Sequence, residues 1–242
     1  MAKVSESEFL NQLKILNVDL SEEQVAMLRG FANILLDYNT RVNLTAIRNL
    51  EDVYLKHFYD SLTLVKAYKF TNETVLDVGT GPGFPGMVLK IAFPNIKITL
   101  LDSNGKKVKF LNYVVEKMNL RDVTVVCDRA EEFFKQESRF DVVVSRAVAD
   151  LNILTELCIP FCRVGGRFVA MKGKCDEELD SVKSVIAFLG ADIDNIIKFE
   201  LPKAAGERCL INIKKIQVTK DGYPRSYDKL LKCPLSKMLK IK

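Results

Sequence analysis

The sequence contains no tryptophan and only one histidine, His57. Its six cysteines (Cys127, Cys158, Cys162, Cys175, Cys209 and Cys233) include no C-x-x-C pair. With a single imidazole and no paired thiols, the ligand spacings of a zinc site are absent, and no metal is expected. A disulfide framework is not expected either, because most of these cysteines sit in apolar surroundings, where a free thiol behaves as a small hydrophobe. No apolar run approaches the roughly 18 residues of a membrane span. The opening, Met1 to Glu8, is polar and lacks the apolar stretch and small-residue cleavage site of a secretory signal. These absences lead to the expectation of a cytoplasmic protein without membrane contact.

The chain has 242 residues, 48% hydrophobic and 28% charged, which suits one large domain or a domain with a small appendage. The first 70 residues read as helical. Ser5-x-x-Glu8 and Ser21-x-x-Gln24 have the form of capping boxes, the second opening a helix with Val25, Leu28, Ala32 and Leu35 at helical spacing. Asn49 is placed to cap a third helix carrying Val53, His57 and Phe58. From residue 71 the pattern changes to short apolar strands: 74–78, 97–102, 123–126, 140–145 and 166–171, separated by helical segments such as 108–118 and 151–162. That rhythm predicts a parallel sheet covered on both faces. After a helix from about residue 177 to 189 come strand candidates 195–201 and 208–216. The loop joining them is too short for a helical crossover, so they should be antiparallel. The reading is therefore an N-terminal helical subdomain (1–70), an α/β domain of Rossmann-like type (71–217) and a basic tail (218–242).

The densest information lies in Asp77-Val78-Gly79-Thr80-Gly81-Pro82-Gly83-Phe84-Pro85-Gly86. Alternating glycines after a strand let backbone approach a ligand. Gly81, Gly83 and Gly86 also satisfy G-x-G-x-x-G, so a dinucleotide is one candidate ligand. The charge of Asp77 beside the loop favours S-adenosylmethionine, because it would repel a pyrophosphate and attract the methionine ammonium. Asp102 ends the second strand where an acidic residue accepts ribose hydroxyls, a feature common to both cofactors. Asp128 to Glu131 follow the third strand, either beside an adenine or as the acidic start of a helix.

The strings Asn43-Leu44-Thr45-Ala46-Ile47, His57-x-x-Asp60-Ser61-Leu62, Asp77 to Gly86, Leu101-Asp102-Ser103, Arg129-Ala130-Glu131 and Ser145-Arg146-Ala147-Val148-Ala149 occur in this order. The ordered set resembles the RsmG (GidB) family, from about residue 9 to 235. The resemblance implies a class I methyltransferase fold with a mostly parallel seven-stranded sheet ending in an antiparallel hairpin. It also implies methyl transfer from S-adenosylmethionine to N7 of one guanine in bacterial 16S ribosomal RNA. Cofactor contacts would fall on Gly79, Phe84, Asp102, Ser103, Ala130, Glu131 and Arg146, with Arg146 also the catalytic candidate. The partner would be 16S ribosomal RNA or a small-subunit assembly particle, met by a monomer. Ser226 to Leu231 departs from the family's usual ending.

Guanine N7 already carries a lone pair, so such a reaction needs positioning and no general base. His57 is read chiefly as structural, bracing the helical subdomain with Asp60. Arg129, Arg146 and Arg208 are candidates for RNA contacts or for surface salt bridges. From Lys214 onward nine basic residues face two acidic ones, a stretch that either meets a polyanion or is a solvated face. If it meets RNA, deleting 218–242 should flatten the salt dependence of binding and leave cofactor affinity nearly intact. The competing readings are an NAD-dependent oxidoreductase and a non-catalytic RNA-binding module.

Overall fold

A computed structural model describes residues 4–135, 139–146 and 149–239. Outside it lie Met1 to Lys3 of the polar opening, Ala147 and Val148 of the string after Ser145-Arg146, and Lys240 and Lys242 of the basic end. Helices α1 (Glu6–Ile15) and α2 (Glu22–Asn39) both open on the expected capping boxes, Ser5 with Glu8 and Ser21 with Gln24. Gln24 also donates to the carbonyls of Ile91 and Ala92, so the box ties α2 to the helix that follows the glycine loop. Asn49 caps α3 (Leu50–Asp52), as its position suggested. The helix then widens into a π-helical stretch, Val53–Tyr59, before α4 (Asp60–Leu62) and a 3₁₀ turn, Thr63–Lys66.

The α/β part runs β1 (Thr74–Val78), α5 (Gly86–Ala92), β2 (Lys97–Asp102), α6 (Gly105–Lys117), β3 (Val123–Cys127), α7 (Ala130–Phe133), β4 (Phe140–Arg146), α8 (Leu151–Cys158) and β5 (Cys162–Lys172). Helix α9 (Asp176–Phe188), β6 (Ala191–Glu200), β7 (Glu207–Lys215), α10 (Tyr227–Lys232) and α11 (Leu235–Leu239) complete it. The seven strands lie in the order β3-β2-β1-β4-β5-β7-β6. Strands β1 to β5 pair in parallel, and β7 is antiparallel to both β5 and β6. The expected Rossmann-like sheet with an antiparallel hairpin is therefore present. Cys162, read from sequence within a helical stretch, instead begins β5, because the helix ends in a 3₁₀ turn at Ile159–Phe161.

Strand residues alternate between two cores, as the period of two requires. Val75, Leu100, Val142 and Val144 face α1, α2, α5 and α6, whereas Leu76, Leu101, Val143 and Phe168 face α8, α9 and the two tail helices. In the first core Phe31 meets Phe58, Phe84 and Phe110 at ring distances of 5.8, 5.5 and 6.5 Å, which seats the N-terminal helices on the glycine loop and α6. In the second, Leu230 of α10 and Leu235 of α11 are each only 1% exposed, so the tail is packed.

The cysteines depart from expectation at one pair. Cys175 and Cys209 form a disulfide that links the turn before α9 to β7. Their separation of 34 residues carries no spacing signal; the pairing of Lys172 with Cys209 across β5 and β7 brings them together.

Candidate functional site

Strand order reverses direction around β1, whose neighbours are β2 and β4. Ligands in open α/β sheets bind beyond the carboxyl ends of strands at such a point. Two adjoining crevices open there.

The first, about 380 Å³, is lined by Val78, Gly79, Leu101, Asp102, Ser103, Lys107, Asp128, Arg129, Ala130, Glu131, Leu157 and Tyr227. Asp102 builds its floor. Its Oδ2 accepts the Gly81 N–H at 2.8 Å and its Oδ1 accepts the Asn104 N–H at 2.8 Å, so one carboxylate ties the glycine loop to the end of β2. Each oxygen keeps a second lone pair for a guest. Lys107, in the first turn of α6, stands 3.9 Å from Asp102. Glu131 is buried and its Oε1 accepts the Tyr227 N–H at 3.1 Å.

The loop itself is shaped by what lies behind it. Gly81 has φ +60°, in the left-handed region. A side chain on Gly86 would put its Cβ 2.8 Å from Asp77 Oδ2, the oxygen that accepts the Gly86 N–H. Asp77 is wholly buried and lines neither crevice, so its charge would reach a ligand ammonium through the glycine loop. Burial pushes its carboxyl up to about 6, against the opposing hydrogen bonds of Thr80 and the Gly86 N–H.

The second crevice, about 550 Å³, is lined by Leu44, Thr45, Lys56, His57, Asp60, Gly79, Thr80, Gly81, Pro82, Phe84, Lys107, Arg146, Met171, Lys172, Gly173 and Arg208. Arg146, at the end of β4, donates from Nη1 to the Lys56 carbonyl (3.0 Å) and Asp60 Oδ2 (3.1 Å). Its Nη2 lies 3.2 Å from His57 Nδ1. Arg208, at the start of β7, donates from Nε to Asp60 Oδ1 at 2.8 Å. Asp60 is thus a buried carboxylate shared by two arginines. The π-helical widening of Val53–Tyr59 turns Lys56, His57 and Asp60 onto this one wall, a role such bulges often have.

A guanidinium only donates, so His57 Nδ1 must be the accepting nitrogen and Nε2 carries the proton, given to Thr45 Oγ1 at 3.0 Å. The imidazole also stacks on Phe84, with centroids 4.1 Å apart and planes at 16°. Burial and the neighbouring Arg146 charge pull His57 down to about 3, so the imidazole is neutral at pH 7 and does not take up a second proton there.

This has a measurable consequence. An unfolded histidine takes up a proton near pH 6.5 and folded His57 only near pH 3, so the unfolded state binds more protons in between and stability falls with falling pH. Asp77 acts with the opposite sign, since its folded form takes up a proton from pH 6 downward. Comparison with His57→Gln, which removes the one histidine, isolates the first effect. The stability advantage of wild type over this variant, from urea unfolding, should shrink by about 2 kcal/mol between pH 7 and pH 5. A difference that stays constant would mean that His57 protonates freely in the fold.

The candidate residues from sequence therefore divide. Gly79, Asp102, Ser103, Ala130 and Glu131 meet in the first crevice, while Phe84 and Arg146 lie in the second; Gly79 and Lys107 line both. Lys107 and Tyr227 were not found by sequence reasoning. Lys107 follows the capping Asn104, a signal for a helix start only, and Tyr227 reaches the site from 96 residues beyond Glu131 with no local pattern. Arg129, a candidate for RNA contact, lies over the Tyr227 ring at 5.3 Å.

Solved structures resemble this chain in fold. A methyltransferase from Pyrococcus furiosus superposes with a TM-score of 0.53 at 17% identity, covering 81% of this chain and all of that one. Precorrin-6y C5,15-methyltransferase from Geobacter metallireducens gives 0.51 at 16%, covering 65% and 86%. In sequence, the ribosomal RNA small subunit methyltransferase G of Lachnoclostridium phytofermentans is 42% identical over 95% of this chain and 97% of its own length. That of Acetivibrio thermocellus is 43% identical over 90% and 92%. The family model for rRNA small subunit methyltransferase G matches residues 24–205, and with it the chain belongs to the GidB family.

Proposed function

We propose that this protein transfers a methyl group from S-adenosylmethionine to N7 of a guanine in 16S ribosomal RNA, acting as a cytoplasmic monomer on the RNA or on a small-subunit assembly particle. The observation that carries the reading is the pair of crevices meeting at Gly79 and Lys107, one floored by Asp102 and the other walled by Arg146, so that two guests would touch at the glycine loop. The residues present fit the cofactor. Asp102 and Glu131 keep acceptor lone pairs toward the first crevice. The Asp77 carboxylate, buried behind the loop, favours a cationic ligand on the loop's far side over the pyrophosphate of NAD. Among the described residues no helix is long and apolar enough to cross a membrane, and no cluster of metal-binding side chains occurs.

Bound in the first crevice, S-adenosylmethionine supplies a methyl group on a positively charged sulfur. The residues of the second crevice have then to hold a flat base with its N7 lone pair toward Gly79. Phe84, itself buried, backs the crevice wall: its ring stacks on His57, and the Arg146 guanidinium lies 5.3 Å from its centre. That charge is suited to guanine O6, the acceptor beside N7. Neutral His57 accepts from Arg146 and takes no proton, which accords with an acceptor atom that has none to lose.

Incubation with unmodified small subunits or 16S ribosomal RNA and tritiated cofactor, followed by mapping of the modified nucleotide, tests the proposal. Label on a single guanine, lost on treatments specific for N7-methylguanine, is expected; label on another base would overturn it. Asp102→Ala should weaken S-adenosylmethionine binding about tenfold or more, since hydrogen bonds to a charged acceptor are lost and the glycine loop loses its tie. Unchanged affinity by calorimetry would remove Asp102 from the site.

A further inference from the structure

The C-terminal segment enters the first crevice with one aromatic side chain. Three anchors fix that segment. Arg225 grips the wholly buried Glu156 of α8 through Nε and Nη2, both at 2.7 Å. The Tyr227 N–H is given to the buried Glu131. Leu230 sits in the core three residues later. Between these anchors the Tyr227 backbone is held, and its half-buried ring packs against the second core. It lines the crevice opposite no other aromatic group, and Arg129 lies over it. An aromatic ring held beside carboxylates that accept from ribose and amine groups is the chemistry that recognises a nucleoside: the carboxylates fix the polar edges and the ring covers the flat face.

We infer that Tyr227 is a cofactor-binding residue, a stacking wall that the docked C-terminal segment supplies for the adenine of S-adenosylmethionine. The inference rests on the cofactor proposed above. It assigns Tyr227, within the segment 226–231 that departs from the family's usual ending, to the nucleoside crevice. Tyr227 acts on binding, so its loss should move affinity for the cofactor and for its demethylated product alike, because both carry the same adenine.

Calorimetry on the full chain tests this with S-adenosylmethionine and S-adenosylhomocysteine. Tyr227→Phe should bind both within about twofold of wild type, and Tyr227→Ala should bind both roughly tenfold more weakly, in keeping with the loss of one base–aromatic stack. Because the natural sequence has no tryptophan, Tyr227→Trp introduces the sole indole of the chain. Its emission should change on saturation with S-adenosylhomocysteine, whereas that of Tyr113→Trp, on the exposed side of α6, should not. Wild-type affinity in Tyr227→Ala at an unchanged melting temperature would overturn the inference. An indole at position 227 blind to the ligand would do the same, and this readout holds even if the alanine variant fails to fold. In both cases, loss of binding in Asp102→Ala would leave the proposed function standing. A wild-type chain that binds neither ligand would overturn the function and the inference together.

Discussion

Arg146→Lys is expected to slow single-turnover methyl transfer by about a hundredfold or more, although it keeps the positive charge. The reason is geometric. Arg146 reaches three acceptors at once: the Lys56 carbonyl, the Asp60 carboxylate and His57 Nδ1. A lysine ammonium has three N–H bonds but no planar fork, and its shorter reach from the end of β4 cannot serve all three. Losing the donor to Nδ1 frees the imbalance that sets the His57 tautomer. Losing half of the clamp on Asp60 leaves that buried carboxylate to Arg208 alone. The wall that should hold the acceptor base would loosen, and misplacement by about 1 Å is enough for a hundredfold loss.

Cofactor affinity in the same variant should stay within about threefold, because Arg146 lines only the second crevice and a change there removes no first-crevice hydrogen bond of the ~1 kcal/mol kind. A rate near that of wild type would show that Arg146 is a structural tie and not an orienting group. The pH profile separates a second possibility. His57 lies near 3, so the single-turnover rate should show no His57-dependent limb near the ordinary histidine value. A limb near pH 6.5 that disappears in His57→Ala would return His57 to proton transfer.

Parts of this arrangement were legible in the sequence because local signals determine them. Asp102 follows directly from a strand end in a parallel sheet, and the position of a strand end is a property of a short apolar run, whereas Ser103, Ala130 and Glu131 rest on the family resemblance. The capping boxes at Ser5 and Ser21 are equally local. The two-crevice division was not legible. Phe84 and Asp102 flank the same loop, yet Phe84 turns away to stack on His57, and only the packing of the π-helical stretch against that loop decides it. Tyr227 and the Cys175–Cys209 bridge depend on contacts between distant segments, for which single-sequence spacing carries no trace. Net charge also counts side chains that are already engaged. Of the nine basic residues from Lys214 onward, Lys215 is buried on the Leu189 carbonyl and Arg225 is committed to Glu156, so neither is offered to a polyanion.

Arg225→Leu is expected to lower the melting temperature by on the order of 10 °C, since a buried carboxylate left without its partner costs about 3–5 kcal/mol in a protein of this size. Glu156 is fully buried, and its two oxygens receive the Arg225 Nε, Nη2 and backbone N–H. The pair is the latch that seats the tail on α8. The double variant Glu156→Leu/Arg225→Leu removes both charges and should recover most of the loss, because an apolar pair of similar volume replaces a desolvated ion pair at little net cost. Failure of the double variant to recover would mean that Arg225 stabilises through its other contacts. The same latch reverses one expectation drawn from charge alone, that removal of 218–242 leaves cofactor binding intact. That deletion takes away Arg225, the N–H that satisfies Glu131, and the Tyr227 wall. Cofactor affinity should therefore fall by roughly tenfold or more, with a marked drop in melting temperature. Near-normal S-adenosylmethionine affinity in a folded 1–217 chain would show that the tail serves the RNA alone.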